Sequence, residues 1–214
     1  IKLSLISCTM AAILSLWVAI PIGYLMSRYN FRGKIFFDAI LDIPIVLPPL
    51  VIGLSLLILF QTPIGRAIES KVTITYGIPA VILAQFMVAC AFAVRAMRVS
   101  FDQLDPRQEQ VALTLGCNRN QAFWLVVLPE VRHGILTAAT LAWSRSLGEF
   151  GPILIFAGAT RMRTEVLPTT VFLELSIGNI ESAVAVSLLM VFAAVIVLII
   201  VRIYGLKGAI KFHR

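Results

Sequence analysis

The sequence predicts an all-α, polytopic membrane protein with about five transmembrane helices, six if a further one precedes Ile1, and one helical loop on the cytoplasmic face. Three observations carry this expectation. Apolar residues make up 59% of the 214-residue chain, only 14% are charged, and the mean hydropathy is +0.95. A soluble domain of this size has no core large enough to hide so much apolar surface. The apolar residues also gather into runs of roughly the 20 residues that cross about 30 Å of hydrocarbon, and Lys and Arg are distributed unevenly between those runs.

The candidate spans are 4–27, 40–60, 77–97, 133–157 and 181–203. The first is too long for a secretory signal peptide and has no small-residue cleavage pattern. The second opens with Pro44, Pro48 and Pro49, which are expected to break its start. The third is apolar throughout, with Arg95 at its inner end. The fourth carries Arg145 and Glu149 inside it, with Gly148, Gly151 and Pro152 as breakers. The fifth is uncharged from Val184 to Val201.

Arg28, Arg32 and Lys34, then Arg95, Arg98, Arg107, Arg119 and Arg132, then Arg202, Lys207, Lys211 and Arg214 fall on one side of this arrangement. The other side holds Lys2, Arg66, Lys71, Arg161 and Arg163. The richer side is expected to be cytoplasmic, which puts the C-terminus inside and Ile1 outside. The chain opens on Ile rather than Met, so an upstream segment is expected. One membrane domain is expected over 1–214, with a loop at about 100–131. The net charge of +7 reads as topology and lipid contact, since no basic cluster is dense enough for nucleic acid.

The polar stretch from Glu109 to Pro129 interrupts two long apolar ones and has the chemistry of helix, sharp turn, helix. Asp105 suits the N-cap, Pro106 the first helical position, and Gln108 the capping-box partner. The helix reads through Leu115 and meets Gly116, the residue type suited to a left-handed C-terminal cap. Asn118 and Gln121 repeat the capping pattern, and Pro129 is expected to interrupt the second helix. Such a rigid hairpin suits a soluble partner's grip. The plainer alternative is an amphipathic hairpin whose Leu104, Val111, Leu115, Phe123 and Trp124 pack on the membrane domain.

Arg145 and Glu149 share a helix face and lie near mid-membrane, where a charge costs about 2.5–3.5 kcal/mol unless paired or wetted. They either line an aqueous route or hold helices together as an internal ion pair. Glu149 largely cancels the field with which Arg145 could attract an anion, so a gate or subunit-contact element is expected rather than a tight anion site. The outward loops 61–76 and 158–180 mix Arg66, Lys71, Arg161 and Arg163 with Glu69, Glu165 and Glu174, a pattern that suits polar contact with a soluble protein. Cys8, Cys90 and Cys117 are far apart and read as small packing residues, and His133 and His213 are isolated. No metal, cofactor or catalytic grouping is expected, and no phosphate-cradling Gly-x4-Gly-Lys-Ser/Thr loop is present. The chain is not expected to be an enzyme.

The polar stretch resembles the loop signature of binding-protein-dependent ABC transporter permeases, E-A-A-x3-G-x9-I-x-L-P. Gly116, nine further residues, then Val126-Val127-Leu128-Pro129 match its second half. In the first half Ala112 matches, while Gln110 takes the glutamate position and Val111 the first alanine, with Glu109 one place early. Phe31-Arg32-Gly33-Lys34, Pro44 and Leu47 to Gly53 resemble molybdate and tungstate permeases. Arg145-Ser146-Leu147-Gly148-Glu149-Phe150-Gly151 with Phe156-Ala157-Gly158 is similar to the oxyanion group, sulfate permeases included. Thr164 to Pro168 resembles the molybdate type.

The resemblance implies a permease subunit of an ATP-driven oxyanion importer in the cell inner membrane, most simply for molybdate or tungstate. It implies contacts to a separate ATP-binding cassette subunit from Glu109, Gln110, Ala112, Leu115, Gly116, Leu128 and Pro129. A pathway or gate role falls to Arg145, Ser146, Gly148, Glu149, Phe150 and Gly151. An extracytoplasmic substrate-binding protein, a second copy of the chain and membrane lipid are the other implied partners. A sulfate/thiosulfate-type permease, a secondary transporter or channel without an ATPase, and a membrane scaffold protein are the alternatives.

Overall fold

Two long helices lie side by side and form the most extensive packing in the chain: α1 (Lys2–Arg28) and α5 (Ile78–Asp102). Small residues bring them together. α1 buries Ser4, Ser7, Cys8, Ala11, Ala12, Ser15, Ala19 and Gly23, and α5 presents Ala84, Ala89, Ala91 and Ala93. In lipid no hydrophobic force drives helices together, so close backbone approach is the main source of contact energy. Gly23 is the tightest point: a Cβ there would lie 2.8 Å from Met97 Cβ and 3.0 Å from the Arg98 amide nitrogen. A third helix, α9 (Arg132–Leu147), packs on both and completes the core around Met97, Phe101, Ala138, Ala142 and Trp143.

The computed structural model describes residues 1–210, with side chains through Ile199. Lys211, His213 and Arg214 of the basic tail lie outside the described residues, as do the side chains of Arg202 and Lys207. Among the described residues the structure is all-helical, as expected. Three helices among the described residues are long and apolar enough to cross a membrane: α1, α5 and α12 (Ile180–Ile210, assessed over Ile180–Ile199). The number is five if each of two bent pairs counts as one span. α1 and α12 lie within a few residues of the expected limits at the described ends. α5 runs five residues beyond the expected 97.

The second expected span is two helices, α2 (Lys34–Val46) and α3 (Pro49–Gln61), meeting at 113°. Only part of the expected proline effect occurs. Pro48 and Pro49 make the break, because a proline disfavours helical geometry in the residue before it. Pro44, by contrast, lies inside α2 without ending it. α2 buries no residue and reaches α5 through two ion pairs, Asp38 with Arg98 and Asp42 with Arg95. Two arginines counted from the sequence as topology signals are therefore also internal partners.

The fourth expected span, 133–157, stops at Leu147 and resumes as the short α10 (Gly151–Phe156). Gly148 has an ordinary right-handed backbone, φ −84°, so its conformational freedom is not the cause. Pro152 is: within a continuous helix its ring would strike the Gly148 carbonyl, and it has no N–H to donate. α10 then packs on α3, where a Cβ on Gly53 would sit 2.7 Å from Pro152 Cα.

The segments 61–76 and 158–180, expected as outward loops, contain two short helices, α4 (Pro63–Glu69) and α11 (Leu167–Ser176). Their acidic residues tie the segments internally. Glu69 accepts from the amides of Ile74 and Thr75, and Glu174 pairs with Arg161 at 2.7 Å.

Candidate functional site

At the end of the bundle where α1 and α5 finish and α9 begins, residues 105–130 form the hairpin. Its first arm is α6 (Pro106–Thr114). Asp105 caps it by accepting from the Arg107 amide at 2.9 Å. Gln108 does not close a capping box; its amide instead donates to the Asp105 carbonyl at 3.2 Å. The arm ends at Gly116 with φ +95°, where nothing lies within 4 Å of a hypothetical Cβ. The Gly116 amide donates to Leu113 O and the Cys117 amide to Ala112 O, each at 3.1 Å. This paired closure satisfies the last carbonyls of the helix and fixes the turn.

The second arm opens with the complete capping box expected of Asn118 and Gln121: each accepts from the other's amide, at 2.8 and 2.9 Å. It comprises α7 (Arg119–Ala122), a widened π-turn over Phe123–Val127, and α8 (Leu128–Glu130). Pro129 does not interrupt this arm as expected. The ring of Pro129 would clash with the Leu125 carbonyl in a regular α-turn, and the widened turn before it relieves the clash. The chain bends by 70° one step later, at Val131.

The hairpin divides into an inner and an outer surface. Ala112, Ala122 and Val127 are buried, and Leu128 is half-buried. Leu104 is buried and Phe123 half-buried, as the packed-hairpin alternative requires, but Val111 and Trp124 are exposed and Leu115 is 80% exposed. Gln110, Gly116 and Pro129 also face outward. Glu109 does not: Tyr24 Oη donates to its Oε1 at 2.6 Å, and Arg28 Nε stands 3.7 Å from its Oε2.

Sequence reasoning missed Tyr24 and Arg28. Their signal was present, a Tyr and an Arg four apart at the C-terminal end of the first span, but Arg28 reads from the sequence only as a topology residue. Tyr24 also stacks edge-on against Phe101 and Phe123 at 5.5 and 4.9 Å.

The second group surrounds the break in the fourth span. Arg145 Nη2 lies 2.8 Å from Glu149 Oε1, across one turn, although Glu149 is just beyond the helix end. The pair is asymmetric: the Glu149 side chain is 1% exposed and that of Arg145 is 37% exposed. The Arg145 guanidinium lies over the Phe92 ring at 5.4 Å. Ser146 is buried, donating to Ala142 O at 2.8 Å, and its carbonyl accepts from Gln85 Nε2 at 3.2 Å. Phe150 packs on Phe172, and Gly151 is buried against Leu50. Gly148 is exposed. The exposed face of α9 continues from Arg145 through Leu141, Thr137 and His133 along a groove of about 650 Å³ shared with Phe92, Arg95 and Ser100 of α5.

The family described as binding-protein-dependent transport system inner membrane component matches residues 19–206. The chain belongs to this permease family. Among its relatives, the sulfate transport system permease protein CysT of Salmonella typhimurium is 30% identical over 200 residues, covering 92% of this permease and 72% of that one. The molybdate/tungstate transport system permease protein WtpB of Pyrococcus furiosus is 37% identical over 157 residues, 73% of this permease and 59% of the relative. The molybdenum transport system permease protein ModB of Mycobacterium tuberculosis is 32% identical over 200 residues, 92% and 75% respectively. The permease is thus a multi-pass membrane protein of a family whose members are transport subunits rather than enzymes.

Proposed function

We propose that this permease is the membrane subunit of an ATP-driven importer for an oxyanion, molybdate or tungstate, and that residues 105–129 dock on a separate ATP-binding subunit. The observation that carries the proposal is the hairpin's outer surface. Val111, Leu115, Trp124 and Leu125 stand exposed on a scaffold held by two caps and a left-handed glycine. Large apolar side chains on a rigid base, with polar Gln110, Asn120 and Gln121 around them, are the composition of a protein-binding surface. Gln110 holds the family's glutamate position and faces outward, so it, and not Glu109, is the residue available to a partner.

In this account the hairpin side is cytoplasmic and the C-terminus lies on the same side. Two copies of the chain enclose a path, and an extracytoplasmic binding protein delivers the anion. Nucleotide-driven closure of the ATP-binding subunits displaces the hairpins and exchanges outward for inward opening. The α9 face bearing Thr137 and Arg145 supports a path on that side of the helix, since exposed polar groups at membrane depth need water or protein beside them. Arg145 and Glu149 then gate the path, the buried carboxylate holding a guanidinium that stays open to it.

The choice of molybdate or tungstate is supported by the identity to WtpB and ModB and by the segment Thr164 to Pro168. A sulfate-type permease is the second reading, favoured by the alignment with CysT over 92% of the chain. Reconstitution with the ATP-binding subunit and binding protein in vesicles tests both. ATP-dependent molybdate uptake that tungstate suppresses and excess sulfate does not supports the first; the reverse competition supports the second. Uptake that proceeds without the ATP-binding subunit would sink the docking proposal.

A further inference from the structure

The contact that turns Glu109 inward does more than remove it from the docking surface. Tyr24, on the last turn but one of α1, touches three parts of the hairpin region at once. It donates to Glu109 on the first arm, stacks on Phe101 at the end of α5, and stacks on Phe123 at the start of the π-turn. One turn later Arg28 lies beside the Glu109 carboxylate and donates to Leu104 O at 3.1 Å. Arg119, at the head of the second arm, donates to the Tyr29 hydroxyl at 3.0 Å. The Arg28 and Glu109 side chains are only 11% and 15% exposed, so the charges are little screened by solvent. Both arms are thereby fixed to the inner end of one helix.

That helix reaches the broken span. Sixteen residues further out, about 24 Å along the axis, Cys8 accepts from Gln85 Nε2 at 3.4 Å, and the same Gln85 amide group donates to Ser146 O at the end of α9. Gln85 is 1% exposed and Cys8 fully buried.

We propose that α1 is the transmission rod of this permease, fastened to the hairpin by Tyr24, Arg28 and Glu109 and bridged through Gln85 to the break beside Arg145 and Glu149. Tyr24, Arg28 and Glu109 are positioning residues. They touch neither nucleotide nor anion and act by making the hairpin and α1 move as one body. The inference rests on the hairpin being the docking element.

The test uses the full chain assembled with its ATP-binding subunit and binding protein, and the variants Tyr24→Phe, Glu109→Gln and the two combined. Tyr24→Phe removes a hydrogen bond to a charged group, and Glu109→Gln removes that charge from beside both Tyr24 and Arg28; each should lower anion uptake per ATP hydrolysed by about tenfold. The combined variant should fall by less than the product of the two single losses, because both changes weaken the one contact between Tyr24 and the Glu109 carboxylate. Co-purification of the ATP-binding subunit should be unchanged. In the purified chain alone, amide exchange over 105–129 should speed up in all three variants. That last arm needs no partner, so a docking proposal that fails leaves the fastening separately measurable. Additive losses in the combined variant would overturn the inference, as would loss of the ATP-binding subunit from Glu109→Gln with amide exchange unchanged.

Discussion

Gly116→Val isolates the hairpin's geometry from its contacts. At φ +95° an L-residue is strained, at a cost of about 1–2 kcal/mol, and a β-branched one more. Nothing lies within 4 Å of the position, so the backbone alone bears the cost and no neighbour is displaced. A penalty of about 1.4 kcal/mol lowers the fraction of correctly turned hairpins about tenfold relative to opened ones. Insertion and folding of the spans should be unaffected, while anion uptake per ATP hydrolysed falls by up to about tenfold. Gly116→Asn, which tolerates left-handed geometry, should restore most of it. Gly178 supplies the control: it closes α11 at φ +78°, also with nothing within 4 Å, but on the opposite side of the membrane domain. Gly178→Val carries a similar strain and should leave the coupling ratio near that of the unchanged protein. Equal loss of coupling in both valine variants would refute the reasoning, because strain anywhere would then suffice.

Glu149→Gln should destabilise, since leaving one member of a buried ion pair alone costs about 3–5 kcal/mol, less here because Arg145 is partly open to solvent. The thermal midpoint in detergent should fall by roughly 4–8 °C, and adding Arg145→Gln should recover most of it; a further fall in the double variant would show that the two do not act as a pair. Gly53→Ala places a methyl group against Pro152 and should cost about 1–3 kcal/mol of overpacking. It should also raise the resting anion leak of vesicles, because α3 is what holds the restarted helix α10 in place; an unchanged leak with a lowered midpoint would confine Gly53 to packing.

The hairpin was legible in the sequence because its signals are local. Asp105, Gly116, Asn118 and Gln121 act on backbone groups within a few residues, so their types alone fix caps and turn. Composition exposed three spans for a similar reason, α1, α5 and α12 each being long and apolar enough by itself to cross hydrocarbon, whereas the second and fourth runs are broken. What stayed hidden depends on neighbours far along the chain. Nothing in 109 or 24 announces that one accepts from the other across 85 positions, nor that Asp38 and Asp42 lie opposite Arg98 and Arg95. Pro44 and Pro129 were expected to break helices and did not, because a widened turn before Pro129 absorbs its clash and α2 continues past Pro44. The asymmetry of Arg145 and Glu149, one partly open and the other enclosed, is set by tertiary packing around the break and has no signature in the pair's spacing.

Leu115 is 80% exposed at the tip of the first arm, which makes Leu115→Cys the most direct probe of the docking claim. With Cys117→Ser as background, the introduced thiol should cross-link to the ATP-binding subunit through a short bifunctional reagent and be shielded from labelling when that subunit is present. Labelling of the same thiol by a membrane-impermeant reagent applied outside intact cells, or labelling at the same rate with and without the ATP-binding subunit, would contradict it.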